Sequence, residues 1–165
     1  MSDAIPVTET AGKRAPEATM LALVAILAAT SLVAGLGALT SGGEADPWYA
    51  ALNKAPGNPP GFVFGIVWPM LYALMAAGAF MAWRAGAHLG LFFLQLVVNF
   101  GWSYLFFEFH QPLIALVDIM VLWVLVLLMI RQFHRHNPLA AWIQTPYLAW
   151  LSFAAYLNAW VVFAN

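Results

Sequence analysis

The side chains with the most chemical potential in this sequence are amides, indoles and phenols set inside long apolar runs. Gln95, Asn99 and Trp102 are spaced i, i+4, i+7, which puts them on one face of a helix. Trp68 and Tyr72 share a face by the same rule, as do Pro146, Trp150, Ala154 and Asn158. Asp118 stands alone in the middle of another apolar run. Amides and a carboxyl cost free energy in an apolar medium unless they are bonded, so these faces are expected to turn inward. They could line one interior volume suited to a large, flat, mostly apolar ligand with a few polar edges. They could equally bond across helices and hold a bundle together. Spacing leaves both readings open. Asp118 has no partner base nearby in sequence and is expected to be largely neutral, or bonded to an amide or hydroxyl across the bundle.

Catalytic and metal chemistry find little support. The chain has no cysteine, which removes disulfides and thiolate ligands. His88, His110, His134 and His136 do not gather on one helix face, and two close histidines fall short of a metal site. No metal, no resident cofactor and no catalytic residue are expected.

The elements that must position these groups follow from composition. Of 165 residues 64% are hydrophobic and 8% charged, against about 25% charged in an ordinary soluble domain. A net charge of -1 argues against a nucleic-acid partner. No Asp, Glu, Lys or Arg lies between Glu17 and Glu44, Lys54 and Arg84, Arg84 and Glu108, or beyond Arg135. Each gap holds the roughly 20 apolar residues that one helix needs to cross a bilayer. A fifth stretch, 112–130, carries only Asp118. The predicted fold is an all-α membrane protein: five transmembrane helices near 19–41, 60–83, 87–107, 112–133 and 139–163, forming one domain over 18–165. Residues 1–17 read as a disordered or surface tail. The apolar run from Ala18 to Leu39 is longer than the 7–15 residues of a signal-peptide core, so the first helix is expected to be retained.

Short connections after the second, third and fourth helices predict that consecutive helices pack as antiparallel neighbours. Lys13, Arg14, Arg84, Arg131 and Arg135 fall on one side and only Lys54 on the other, which predicts a cytoplasmic N-terminus. The connection over 42–59 contains Trp48, Tyr49, Pro56, Pro59 and Pro60, so it can hold a defined irregular shape, as a lid or as a rigid connector. Gly86 and Gly90 form a small-xxx-small pair, with Gly78 and Ala82 before them in the same spacing. Such pairs serve a homodimer contact or packing within one bundle.

One known family shares this pattern. The run Trp48-Tyr49…Leu52…Lys54…Pro59-Pro60…Val63…Gly65…Val67-Trp68…Leu71-Tyr72…Met75 resembles the first-loop and second-helix signature of the translocator protein family. Bacterial members are called tryptophan-rich sensory proteins, and the mitochondrial member is the peripheral-type benzodiazepine receptor. The resemblance continues through Gln95-Leu96…Asn99…Trp102…Phe106-Phe107, Ala115-Leu116-Val117-Asp118 and Pro146-Tyr147-Leu148-Ala149-Trp150-Leu151…Phe153-Ala154…Leu157-Asn158. It covers the chain in order from about residue 44 to 158. The resemblance implies a five-helix bundle, usually a homodimer, in a membrane and here a bacterial one. It implies a pocket beneath the first loop that takes protoporphyrin and related tetrapyrroles as ligands, together with sterols and benzodiazepine-site compounds. Position by position, the implied pocket residues are Trp68, Asn99, Trp102, Asp118, Trp150, Ala154 and Leu157, and Tyr72 joins them from the helix-face argument. The implied role is tetrapyrrole transport or signalling; light-dependent porphyrin breakdown is the alternative, to which a fifth-helix tryptophan, here Trp150, is tied in some relatives.

Two departures qualify the resemblance. Many members carry a loop tryptophan two residues before the double proline, where this chain has Gly57, and Phe62 replaces another just after it. That loop residue is implicated in porphyrin breakdown, so the alternative is weakened. The C-terminal sterol motif needs a basic residue shortly after a tyrosine, and no Lys or Arg follows Tyr156. Arg131-Gln132-Phe133…Leu139 fits the reversed motif, a pattern that arises easily in membrane proteins.

Overall fold

The computed structural model describes residues 15–41 and 45–165. The expected tail therefore lies outside the described residues except for 15–17, where the first helix already begins, and so do Lys13 and Arg14. The described elements are α1 (Pro16–Thr40), α2 (Pro47–Ala51), α3 (Gly61–Arg84), α4 (Gly90–Ser103, continued by a π-helical turn Tyr104–Glu108), α5 (Pro112–His136), α6 (Pro138–Trp142) and α7 (Thr145–Ala164). They supply five spans long and apolar enough to cross a bilayer, the fifth being α6 and α7 together. The chain is an integral membrane protein with the predicted five-helix architecture. Leu21, Val24, Leu32, Ile66, Val97 and Val117 are exposed on its outside, as a lipid-facing surface requires.

Proline marks most of the helix starts. Pro16, Pro47, Pro112, Pro138 and Pro146 all sit in a first turn, where a missing N–H costs nothing. The fifth span breaks for the same reason. Pro146 cannot donate to the Trp142 carbonyl, so the helix stops at Trp142 and restarts at Thr145, and the Thr145 hydroxyl donates to that carbonyl instead at 2.8 Å. Asn137 caps α6 by accepting from the Ala140 N–H at 3.2 Å.

The helices form a ring in the order α3, α1, α4, α5, α7, with α6 closing against α3 and α5. One expectation fails here. α3 and α4 are consecutive and joined by a short connection, yet their backbones are not packed side by side; α1 contacts both. Gly86 ends α3 with φ +100, a left-handed cap in which the Ala87 N–H donates to the Ala82 carbonyl at 3.0 Å. Gly86 therefore lies in a connection and Gly90 begins α4, so the pair does not form a helical small-xxx-small face. Gly78 serves packing within the bundle: a Cβ there meets the Gln144 amide nitrogen and lies 2.9 Å from the Ala140 carbonyl oxygen. That close approach lets Gln144 donate to the Leu74 carbonyl at 2.9 Å, fastening α3 to the break between α6 and α7.

Candidate functional site

Because α3 and α4 stand apart, a cavity of about 330 Å³ opens between them and α1, beneath the first loop. The α1 wall is Ala34, Gly37, Ala38 and Ser41, a stripe of small residues at i, i+3, i+4, i+7. Their size leaves the volume that bulkier side chains would fill. The α3 wall presents Phe64, Trp68 and Tyr72, and α4 contributes Trp102, Ser103 and Phe107. Tyr49 of α2 and Pro59 close the loop end. Pro69 also lines the cavity; having no N–H, it leaves the carbonyl of Gly65, another wall residue, without its regular helix partner.

The first loop holds a fixed shape. Asp46 caps α2 by accepting from the Trp48 N–H at 2.8 Å. The Trp48 ring stacks on His110 at 4.3 Å, and His110 Nε2 lies 3.7 Å from Asp46. His110 adopts φ +51, which for a residue with a side chain is a sparsely populated conformation. Trp48 and Tyr49 pack on Phe106 and Phe107 of the π turn, and Lys54 Nζ sits 4.7 Å from the Tyr49 ring. The Tyr156 hydroxyl donates to the Pro56 carbonyl at 3.1 Å, and Asn165 bonds the backbone of Asn53 on both its N–H and its carbonyl. α7 thus holds the loop over the cavity.

Beneath the cavity runs a buried polar chain. The Tyr72 hydroxyl donates to Asn99 Oδ1 at 2.6 Å, Asn99 Nδ2 donates to the Tyr147 hydroxyl at 3.1 Å, and that hydroxyl donates to Gln95 Oε1 at 3.0 Å. Gln95 Nε2 ends the chain 3.7 Å from the Met75 sulfur. Nearer the loop, Trp102 Nε1 donates to Asn158 Oδ1 at 3.1 Å, and Asn158 Nδ2 donates to the Pro112 carbonyl at 2.8 Å. Each amide lies in the core and each is satisfied, as burial demands.

The two readings of the inward residues thus divide between different side chains. Trp68, Tyr72 and Trp102 line the cavity; Gln95, Asn99 and Asn158 bond across helices, with Asn99 reaching the cavity only through Tyr72. Trp150 stands behind the wall, its ring 5.7 Å from Phe64, with a buried Nε1 that has no partner among the described residues. Ala154 is in the core and Leu157 half-buried, and neither lines the cavity. Asp118 is half-buried and its Oδ2 is buried without a partner among the described residues, so of the two expectations for it the bond across the bundle is not formed there. The stripe on the fifth span is also corrected. Pro146 is exposed, and the inward face is Tyr147, Leu151, Ala154 and Asn158. Tyr147 keeps the same i, i+4, i+7 spacing to Leu151 and Ala154, and the small-residue stripe of α1 has it too, so both had a signal in the sequence. Gly57 adopts φ +80, so the turn preceding the double proline is shaped for glycine.

Comparison with known proteins agrees with this architecture. The family model described as TspO/MBR family matches residues 21–163. The "Translocator protein" of Bos taurus is 38% identical over 136 residues, covering 78% of this chain and 80% of that protein. The "Tryptophan-rich protein TspO" of Archaeoglobus fulgidus is 35% identical over 151 residues, covering 88% and 98%. The "Tryptophan-rich sensory protein" of Cereibacter sphaeroides is 35% identical over 135 residues, covering 80% and 84%. With a five-helix membrane bundle, a structured first loop and similarity running through nearly the whole chain, this protein belongs to the TspO/MBR family.

Proposed function

We propose that this protein is a membrane receptor or regulator that holds a porphyrin-like tetrapyrrole in the cavity beneath the first loop, with a role in tetrapyrrole transport or signalling. The observation that carries the reading is the convergence of Trp68, Tyr72 and Trp102 on one partly open cavity between α1, α3 and α4. Indole and phenyl faces suit a flat aromatic ligand. The carbonyl of Gly65 can accept from a ligand N–H or O–H, as can the Tyr72 hydroxyl oxygen, whose own proton goes to Asn99. At about 330 Å³ the partly open cavity is near the small end of ligand sites, so a macrocycle needs more room than its walls now leave. Sterols and benzodiazepine-site compounds compete for the same apolar walls. Asp118, Trp150, Ala154 and Leu157 act behind the walls in this reading, and assembly as a homodimer belongs to it.

Titration of the detergent-purified protein with protoporphyrin, followed by quenching of tryptophan fluorescence in the dark and then under illumination, tests the proposal. Saturable binding is expected, weakened at least about tenfold by Ala38→Phe, which fills the cavity from the α1 side and removes about 1.4 kcal/mol or more of contact. Absence of saturable binding, or binding indifferent to Ala38→Phe, refutes it. The bound ligand is expected to survive illumination, since Trp150 lies behind Phe64 and Gly57 takes the loop tryptophan's place.

A further inference from the structure

Among the described residues, the end of the bundle opposite the first loop carries an excess of positive charge. Arg84, Arg131 and Arg135 all lie there, and the one described carboxylate at that end is Glu17 at the start of α1. Among the described residues the ion pair present, His110 with Asp46, is at the other end. Arg131 and Arg135 are one turn apart and stand over a groove of about 650 Å³ between the last turns of α5 and the first turn of α4.

The groove is graded in polarity. Leu128, Arg131, Gln132 and Arg135 follow i, i+3, i+4, i+7 on α5, with Arg135 nearest the helix end and Leu128 deepest. The facing wall is His88, Gly90 and Leu91. Gln132 Nε2 donates to the His88 carbonyl at 3.0 Å and ties the two walls together. α4 starts at Gly90 without a side-chain cap, so its first-turn N–H groups add partial positive charge beside the two guanidinium groups. A cationic rim above leucines, at the depth where a transmembrane helix leaves the hydrocarbon, matches one kind of molecule: a phosphate head with an acyl tail.

We propose that this groove holds one anionic phospholipid, its phosphate on Arg131 and Arg135 and an acyl chain along Leu128 and Leu91. Arginine presents paired N–H groups to phosphate oxygens, and its stem extends from the apolar surface to the headgroup level. A zwitterionic lipid brings its own cation to a rim that is already positive, so a net negative headgroup is preferred. This site lies outside the cavity beneath the first loop and does not depend on what that cavity binds.

The test is native mass spectrometry of the full chain in an uncharged detergent, with equimolar phosphatidylglycerol and phosphatidylcholine of matched acyl chains. The expected result is one retained phosphatidylglycerol in preference to phosphatidylcholine. Arg131→Gln with Arg135→Gln is expected to weaken its retention about thirtyfold, from about 1 kcal/mol for each arginine. Arg84→Gln, at the same end but outside the groove, is expected to leave retention unchanged. Equal retention of both lipids by the unaltered protein overturns the proposal, and this arm stands even if the double variant does not fold. Equal loss in Arg84→Gln points to diffuse attraction and overturns it as well. Displacement of the lipid by millimolar inorganic phosphate marks a free-anion site and overturns the lipid assignment.

Discussion

Removing the Tyr147 hydroxyl tests whether the buried polar chain is a single connected unit. That oxygen accepts from Asn99 Nδ2 at 3.1 Å and donates to Gln95 Oε1 at 3.0 Å, with the tyrosine fully buried. Tyr147→Phe removes two hydrogen bonds and leaves an amide hydrogen and an amide oxygen in the core without partners. Interhelical hydrogen bonds in membrane proteins average about 0.6 kcal/mol with a maximum near 1.7, so the two sum to about 1.2 to 3.4 kcal/mol. Tyr72→Phe removes a single bond, to Asn99 Oδ1, and is expected to cost about half as much. The sharper test is non-additivity. Gln95→Leu takes away the acceptor that Tyr147→Phe orphans, and its other contact, to the Met75 sulfur, is weak. The double variant Tyr147→Phe/Gln95→Leu is therefore expected to be about 0.5 to 1.5 kcal/mol more stable than the sum of the single losses. Reversible unfolding in mixed detergent and dodecyl sulfate micelles measures the four variants against the unaltered protein. Losses that simply add would show that the bonds act independently, and a Tyr147→Phe cost below about 0.5 kcal/mol would refute the reasoning.

Other consequences can be checked directly. Gly78→Ala drives a methyl group into the Gln144 amide and against the Ala140 carbonyl, so a loss of about 1 to 3 kcal/mol is expected in the same unfolding assay. A tolerated alanine would mean that α3 and α6 are not packed this closely. His110→Ala removes the ring stacked on Trp48 and the contact to Asp46, about 0.5 to 1.5 kcal/mol of support for the loop. Amide hydrogen exchange over residues 46–54 is expected to quicken severalfold while α5 is unaffected. Unchanged exchange in the loop would leave α7 as its main anchor, through Tyr156 and Asn165.

What the sequence determined by itself is tied to local and compositional physics. The five spans follow from where charge is missing, since a backbone in lipid must bond to itself. Tyr72, Gln95, Asn99 and Asn158 were legible as inward groups because an unbonded phenol or amide in an apolar span is costly. Family membership was legible from ordered residues around Trp48, Trp68 and Asn99. The sequence could not tell which inward residue touches which. That α1 contacts both α3 and α4 depends on how the helices fit, a matter of side-chain volume across long separations in the chain. The cavity is a consequence of that order. Trp68 and Trp102 face it, while Trp150, of the same chemistry and spacing rule, stands behind Phe64 because α7 lies on the far side of α3 from α1. Helical spacing tells which residues share a face, and only tertiary packing decides what that face meets.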